Sequence, residues 1–262
     1  MKVPFLDLRV TNVRHSKELL KRLKKILNHG KIIEGPEVIE FEKKISEFLD
    51  SKYTVGLNSG SSALFLALKS LDIGPGSQVI TTPFTWIITI NAILATGATP
   101  VFADIKDDLN IDPKKIQHLI NERTKAIIPV HIGGHMCEME EISAIAKKFN
   151  IHIIEDAAQA ICGSVNGKKA GYFSKISAFS MNPMKMLNAY GECGIITTSN
   201  KNLYQRVLRL RHAGTKKDIR KIHINRCYDI SLNYKIDTIQ ASFLLENLKS
   251  LPNKKKKRDK IA

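Results

Sequence analysis

The chain has 262 residues, of which 43% are hydrophobic and 25% are charged, and its formal net charge is +16. This length allows one large domain with a substantial core. No segment reaches the roughly 18 consecutive apolar residues that a membrane span needs, and the N-terminus lacks the apolar stretch of a secretory signal. We therefore expect a cytoplasmic protein without a membrane partner.

The excess of positive charge could indicate nucleic-acid binding, but its distribution argues against this function. Lysines and arginines are spread over helix-like segments such as "SKELLKRLKKILNHGK", and a further group, "NKKKKRDK", lies near the C-terminus. Aromatic residues make up only 6% of the chain, and no base-stacking motif is present. We expect no nucleic-acid partner. A basic surface would also suit an anionic small substrate.

The N-terminal part of the chain is predicted to be helical. Apolar residues recur with a period near 3.6 in "KELLKRLKKIL" and in "EVIEFEKKISEFL", and the glycines and proline of "NHGKIIEGPE" separate the two segments. The pattern predicts two amphipathic helices joined by a bend.

From residue 53 onward, short β-branched runs alternate with helical segments. The predicted strands are "YTVGLN", "QVITT", "TPVFADI", "KAIIPVH" and "IHIIEDA", and helical patterns follow the first four of them. Such alternation predicts a parallel sheet with helices on both faces, that is, an α/β fold. The later runs "KISAFS" and "GIITT" leave no room for a full helix between them, so we expect one of these two strands to be antiparallel.

A glycine-containing segment follows the first predicted strand. "LNSGSSALFLAL" places residues 58–62 between a strand and an apolar helix. Free N–H groups in the first turn of a helix point at a bound anion, and the helix dipole favours negative charge there. The segment matches neither GxGxxG nor GxxxxGK[ST], so it indicates a single phosphate rather than a dinucleotide. An ordinary serine N-cap is the structural alternative.

An acidic pair ends the predicted strand in "IIEDAAQA", where Gln159 follows Glu155 and Asp156. The carboxyl ends of parallel strands are the usual place for ligands. An ionised carboxylate at that place can keep a pyridinium nitrogen protonated, which makes the ring an electron sink. The structural alternative is an acid that caps a helix.

Lys185 is the only lysine between Lys175 and Lys201. A phosphate-binding turn, an acid after a middle strand and a lone lysine after a later strand are the parts that a pyridoxal phosphate enzyme needs, with the lysine as the Schiff-base residue. Trp86, the only tryptophan, follows a strand in "TTPFTWIIT" and could stack on a cofactor ring. A core position is the structural alternative for this side chain.

His131, His135 and Cys137 could suggest a metal site. Gly133 and Gly134 argue against a helix that would bring the histidines together, and no acid completes a ligand set at the usual spacing. The four cysteines contain no CxxC pair, and we expect them to be reduced thiols. We predict no bound metal.

These residues resemble the sugar aminotransferases of the DegT/DnrJ/EryC1/StrS group, which share the large-domain fold of aspartate aminotransferase. The similarity extends over nearly the whole chain and rests on motifs in a fixed order, among them "VPFLDL", "IIEGPEVIEFEKKISEFL", "NSGSSALFLALKSLDIGPGSQVITTPFTW", "IIEDAAQA" and "SLNYKIDTIQAS". It implies a three-layer α/β/α fold with a mostly parallel seven-stranded sheet, pyridoxal 5'-phosphate as cofactor and a homodimer.

The resemblance also implies roles for single residues. Lys185 would form the Schiff base and transfer protons, and Asp156 would contact the ring nitrogen. The other implied cofactor contacts are Gln159 at the ring hydroxyl, Trp86 over the ring, Gly60, Ser61 and Ser180 at the phosphate, and Asn233 at the phosphate of a neighbouring subunit. In the family's glycine-rich segment after the lysine, this chain reads "GECG", with Cys193 in place of a glycine.

Three parts follow from the same resemblance. Residues 1–50 would be an N-terminal helical segment packed on the large domain, residues 51–235 the cofactor-binding large domain, and residues 236–262 the start of the helix that leads to a small C-terminal domain. Because the chain stops at "LPNKKKKRDKIA", we expect that small domain to be truncated.

By this similarity, the protein would move an amino group from glutamate to a nucleotide-linked ketosugar in polysaccharide biosynthesis. One alternative is a truncated, catalytically silent member of the family that binds only a cofactor or a partner. Another is a lyase or dehydratase of the same fold. Some relatives that act as dehydratases carry histidine in place of the lysine, so Lys185 argues against that branch.

Overall fold

The computed structural model describes residues 6–216 and 226–261. The first three residues of the motif "VPFLDL", which lies at the start of the family resemblance, are residues 3–5 and lie outside the described residues. The helices of this part are Val13–His29 (α1), Pro36–Leu49 (α2), Gly60–Ser70 (α3), Ile88–Ala95 (α4), Pro113–Ile116 (α5), Met139–Lys148 (α6), Lys201–Arg211 (α7) and Thr238–Asp259 (α8). The strands are Tyr53–Leu57 (β1), Gln78–Thr81 (β2), Thr99–Phe102 (β3), Thr124–Ile128 (β4), His152–Asp156 (β5), Ser164–Val165 (β6), Lys168–Lys169 (β7), Ile176–Ser180 (β8) and Gly194–Thr198 (β9).

Local signals in the sequence set the helix ends. The side chain of Asn12 caps α1 by accepting from the His15 N–H at 3.0 Å, and Gly30 ends the helix with φ at 68°. A glycine tolerates this left-handed conformation because it has no Cβ. Pro36 then starts α2, where its missing N–H is not needed. The two predicted N-terminal helices and the bend between them are therefore present.

Seven strands form the central sheet in the order β1-β9-β8-β5-β4-β2-β3. Strand β9 is antiparallel to both of its neighbours, and the other recorded pairings in this sheet are parallel. The prediction that one late strand is antiparallel is confirmed. Since β1, β5 and β8 all run in the same direction, their carboxyl ends lie at one edge of the sheet.

Helices cover both faces of the sheet and bury two hydrophobic cores. On one face Phe41 of α2 and Leu244 of α8 pack with Ile127 and Ile195 of the sheet. On the other face Leu66 of α3 packs with the next residues along the same strands. Successive side chains of a strand point to opposite faces, so a strand buried on both sides is apolar throughout. The predicted three-layer α/β/α fold is confirmed.

The N-terminal helices are part of the main body of the molecule. Apolar side chains of α2 and α8 belong to one core, and Arg22 of α1 pairs with Glu246 of α8 at 3.1 Å. The division of the chain at residues 50 and 235 stays a prediction. Within residues 6–216 and 226–261, no helix has the length and apolar character that crossing a bilayer requires.

Candidate active site

The end of β1 and the start of α3 form the predicted phosphate-binding turn. Ser59 caps α3, and its Oγ accepts from the Ser62 N–H at 3.1 Å, while the Ser62 Oγ donates to Asn58 at 2.6 Å. The backbone N–H of Ala63 makes the first bond of the helix, to the Ser59 carbonyl. The N–H groups of Gly60 and Ser61 precede it and are available to an anion. Ser59 is thus an N-cap, and the binding of an anion at this turn stays a prediction.

Two glycines allow this turn to lie close to β8 and β9. A Cβ on Gly60 would stand 2.7 Å from the Cβ of Ser180, which ends β8. A Cβ on Gly194, the first residue of β9, would stand 2.4 Å from the carbonyl of Ser59. Such contacts are too short for real side chains, so glycine is required at both positions. The structure therefore brings Gly60 and Ser180 together as predicted.

Asp156 ends β5, and its side chain is buried, with 4% of the residue exposed. Its Oδ2 accepts from the Thr89 hydroxyl at 2.8 Å, and its Oδ1 accepts from the Ala158 N–H at 3.1 Å. Burial raises the pKa of the Asp156 carboxyl, and the hydrogen bonds from Thr89 and Ala158 and the nearby His131 and Lys185 oppose that rise. The carboxylate is thus held in a dry place by donors that favour its charged form.

Thr89 was not singled out from the sequence. It lies in the first turn of α4, only 1% of it is exposed, and its hydroxyl also bonds with that of Thr85 at 2.9 Å. In the sequence it stands within the apolar segment "WIITINAIL", where a threonine resembles an ordinary core position. The one feature of the sequence that could have indicated Thr89 is its position. It stands three residues after Trp86, and Trp86 lies in the loop that follows the parallel strand β2.

Glu155 points away from Asp156 and serves the fold. Its two carboxylate oxygens accept from His131 Nε2 at 3.0 Å, from the Gly171 N–H at 2.8 Å and from the Phe173 N–H at 3.0 Å. His135 is exposed and lies on the opposite side of its turn, 3.7 Å from Asp108. Among the residues that the structure describes, no group of three side chains is arranged to hold a metal ion.

Lys185 lies in the loop between β8 and β9, and several contacts fix this loop. The Lys185 N–H donates to the Asn182 carbonyl at 2.8 Å, which makes a turn. Helix α8 supplies the other supports: Gln240 accepts from the Tyr190 N–H at 2.9 Å, and Asn247 donates to the Asn188 carbonyl at 2.6 Å. The Lys185 side chain is half-buried. Lys185 and Asp156 follow or end the parallel strands β8 and β5 at the same sheet edge, and the Lys185 charge opposes the rise in the pKa of the Asp156 carboxyl.

The remaining predicted contacts are on the rim of this region. Gln159 and Asn233 are exposed, and their side chains accept from the Gly133 N–H at 3.1 Å and the Lys235 N–H at 3.3 Å. Ser61 is exposed in the first turn of α3. Trp86 is 74% exposed, so it is not a core side chain. The roles of these four residues toward a cofactor stay predictions.

Solved structures of aminotransferases have the same fold as this chain. S. venezuelae DesV, solved in complex with a ketimine intermediate, superimposes with a TM-score of 0.90 at 34% identity over 96% of this chain and 67% of its own. The fold is that of the aminotransferase class, and Lys185, the buried Asp156 and the predicted phosphate-binding turn lie at one edge of its sheet.

Named relatives and a family match make this class more specific. The chain is 40% identical to the dTDP-3-amino-3,6-dideoxy-alpha-D-galactopyranose transaminase of Aneurinibacillus thermoaerophilus, over 99% of this chain and 70% of the relative. It is 35% identical to the UDP-2-acetamido-2-deoxy-3-oxo-D-glucuronate aminotransferase of Pseudomonas aeruginosa, over 99% of this chain and 71% of the relative. The DegT/DnrJ/EryC1/StrS aminotransferase family matches residues 13–262. The chain belongs to this family, and the sequence-based assignment is confirmed.

Proposed function

We propose that the protein is a pyridoxal-phosphate-dependent transferase that moves an amino group from glutamate to a nucleotide-linked ketosugar. The observation that carries this proposal is the buried Asp156 carboxylate at the same sheet edge as Lys185 and the phosphate-binding turn. Both named relatives act on sugars linked to a nucleotide, and both names place the reacting group at position 3 of the sugar. We propose the same position here.

The residues present fit the cofactor. The N–H groups of Gly60 and Ser61 and the Ser180 hydroxyl would hold its phosphate, and Asp156 would hold its ring nitrogen in the protonated form. Lys185 would hold its aldehyde carbon. When bound, pyridoxal phosphate supplies a ring that accepts the electrons of the substrate carbon.

The remaining steps would depend on groups of the protein itself. Donors from Thr89 and Ala158 favour the charged form of the Asp156 carboxylate and oppose the rise of its pKa that burial causes. The Lys185 Nζ would take the proton from the substrate carbon and deliver it to the cofactor carbon. Trp86 would cover the ring and exclude water, and Gln159 would contact the ring hydroxyl.

We further propose that the protein acts as a homodimer in the cytoplasm, in the synthesis of an amino sugar for a polysaccharide. Asn233 supports the dimer, because this exposed amide at the rim is suited to reach the phosphate of a second subunit. The exposed Phe84, Trp86 and Ile87 supply apolar surface beside the site. We propose no nucleic-acid or membrane partner.

The experiment is borohydride reduction of the protein with pyridoxal phosphate, followed by peptide mass spectrometry. A pyridoxyl adduct is expected at Lys185 and is expected to be absent in Lys185→Ala. The control is Lys201→Ala, an exposed lysine at the start of α7, which should keep the adduct. An adduct at any other lysine, or none, would overturn the site.

Turnover separates amino transfer from the other reactions of this fold. With nitrogen-15 glutamate and a 3-ketosugar attached to thymidine or uridine diphosphate, a transaminase places the label in the sugar. A lyase or dehydratase changes the sugar without taking up the label. A protein that forms the adduct at Lys185 and shows neither reaction would contradict the proposed transfer.

A further inference from the structure

Lys185 borders a cleft of about 670 Å³. Its walls are the segment before α1, the loop that carries Lys185, and the C-terminal half of α8. Lys185 is the residue that this cleft shares with the proposed cofactor site, and the rest of its lining belongs to other groups.

The lining of this cleft is strongly basic. Arg9, His15, Lys254, Lys257 and Arg258 contribute to it together with Lys185. Its acidic residue, Asp7, is paired with Arg9 at 2.6 Å, and this pairing lowers the pKa of Asp7 to about 2. Within the part of the chain that the structure describes, no carboxylate lies within ion-pair distance of the cations from α8 in this cleft.

Not all of these cations are fully exposed to solvent, and Lys254 is the example. Its side chain is half-buried, and its Nζ donates to the Asn188 side-chain oxygen at 3.2 Å and to the Met186 carbonyl at 3.5 Å. Burial and the nearby Arg258 lower the pKa of Lys254. A cation buried among neutral oxygens and next to another cation is costly unless an anion compensates it.

The other face of the same helix looks different. Lys255 pairs with Asp259 at 2.6 Å, and both line a separate, less basic pocket near Cys162. Ion pairs of this kind are typical of an exposed helix surface. Among the described residues 254–258, one cation without an ion pair, Lys256, lies on that side, and three, Lys254, Lys257 and Arg258, lie on the side that faces Lys185.

We propose that Lys254, Lys257 and Arg258 bind the diphosphate of the nucleotide-linked sugar, so that the sugar extends from this cleft toward the Lys185 amine. This inference rests on the proposed function, because it assigns a binding site to the substrate of that reaction. A diphosphate matches the cleft better than a single phosphate, because it spreads its negative charge over two groups and can contact several cations at once. The volume of about 670 Å³ lies within the range of small-molecule sites, which suits a small anion rather than a nucleic-acid strand.

The test is the binding of uridine diphosphate to the 262-residue protein by calorimetry, at low and at high salt. We expect the double variant Lys257→Gln with Arg258→Gln to bind it about tenfold or more weakly, the loss expected for charged hydrogen bonds. The matched control is Lys255→Gln with Lys256→Gln, which removes the same charge from the other side of α8 and should change the affinity less than about twofold.

Two further arms make the test specific. Lys254→Met checks the half-buried cation in a second way, in case the double variant loses its fold. Glucose 6-phosphate should bind more weakly than uridine diphosphate, since it offers one phosphate. Equal affinity in wild type and double variant, an equal loss in the control pair, or no binding by the wild type would each overturn the proposal.

The outcome is independent of the cofactor. If the Lys185 adduct forms but the cleft variants bind uridine diphosphate normally, the diphosphate site is wrong and the proposed function stands. If uridine diphosphate binding depends on the cleft but no adduct forms, the cleft is an anion site and the proposed function fails.

Discussion

Burial of Asp156 has an energetic cost, which the hydrogen bonds from Thr89 and Ala158 partly offset. The pKa of this carboxyl in the folded protein lies above its ordinary value of 3.8. Between the two values the folded state binds more protons than the unfolded state. The group's contribution to stability is therefore present below the ordinary pKa and is lost as the pH rises through the raised pKa.

The direction of this pKa shift leads to a prediction for the stability of the cofactor-free protein. Asp156→Asn removes a buried charge, so its Tm should exceed that of the wild type at neutral to basic pH. The expected difference is about 2–4 °C for each kcal/mol by which the buried charge destabilises the wild-type fold. The difference should shrink as the pH falls through the raised pKa toward the ordinary value. Thermal unfolding at several pH values measures it, with Asp107→Asn, an exposed acid, as control. A difference independent of pH would show that charge burial is not its cause.

Thr89 is expected to act on the cofactor through Asp156. Thr89→Val keeps the shape of the side chain but removes the hydroxyl that donates to the carboxylate. Hydrogen bonds to charged groups contribute about 1.5–3 kcal/mol, so the dissociation constant of pyridoxal phosphate should rise about tenfold or more. An absorbance titration measures it. Thr89→Ser should restore most of the affinity, and an equal loss in Ser and Val would indicate packing rather than the hydroxyl.

At the scale of elements, the position of the phosphate-binding turn depends on β9. A Cβ at Gly194 would lie 2.4 Å from the carbonyl of Ser59 and 2.5 Å from the Gly60 nitrogen. An alanine there must push the start of α3 away from the sheet. The strand that separates β1 from β8 thus also sets the distance between the anion site and the lysine loop.

We therefore predict that Gly194→Ala lowers the free energy of unfolding by about 1–3 kcal/mol, as overpacking does. It should also weaken pyridoxal phosphate binding in molecules that remain folded. Denaturant unfolding and an absorbance titration measure the two effects. Gly74→Ala is the control, because its Cβ would meet its nearest atom, the Thr96 carbonyl oxygen, at 3.3 Å. Unchanged cofactor binding in Gly194→Ala would mean that the turn does not hold the phosphate.

Alternating strand and helix patterns were enough to predict the sheet, the helices that follow its first four strands and the antiparallel late strand. They could not predict the strand order, because side-chain periodicity reports burial and not the neighbour of a strand. Helix α7 was overlooked, although Asn200 caps it and Leu203, Val207 and Leu210 follow at helical spacing. The short hairpin of β6 and β7 has two residues per strand, too few to show a period.

The candidate site could be predicted in part, because the strand pattern also indicates where the strands end. Lys185, Asp156 and Gly60 each follow a predicted strand, where ligands usually lie. Thr89 could not be predicted, since its contact with Asp156 exists only after α4 and β5 meet in the folded chain. Glu155 and Asp156 are adjacent in sequence, and only the register of β5 decides that the second of them faces the site while the first holds His131.

For the whole molecule, a site shared between two subunits can be tested by mixing variants. Lys185→Ala loses the amine of its own site, and Asn233→Asp would repel the phosphate in the partner's site. Random pairing of equal amounts gives hybrids with one intact site in half of the dimers, so about a quarter of all sites should bind pyridoxal phosphate with native affinity. Titration of the co-refolded mixture measures this fraction. The separately refolded variants, combined afterwards, are the control, and equal results would exclude a shared site.

The charged residues behind the net charge of +16 can be located in the structure. One part of the 41 lysines and arginines is compensated by local ion pairs, as on the outer side of α8. Another part lines the cleft beside Lys185, where the described residues supply no matching carboxylate apart from Asp7, which is paired with Arg9. A basic protein of this kind attracts anionic substrates over a Debye length, and raising the salt should weaken that attraction.

Strand β1 forms one edge of the sheet, and its partner strand is β9, which pairs Tyr53 with Thr198 and Leu57 with Gly194. A ribosome releases the chain from its N-terminus, so β1 emerges long before its partner has been synthesised. Contacts between such distant segments form slowly, because a long loop has to close first. Because β1 joins the sheet through β9, the β1 segment of a nascent chain stays unpaired and can pair with another molecule until β9 arrives, and the turn that follows β1 meets Gly194 only then.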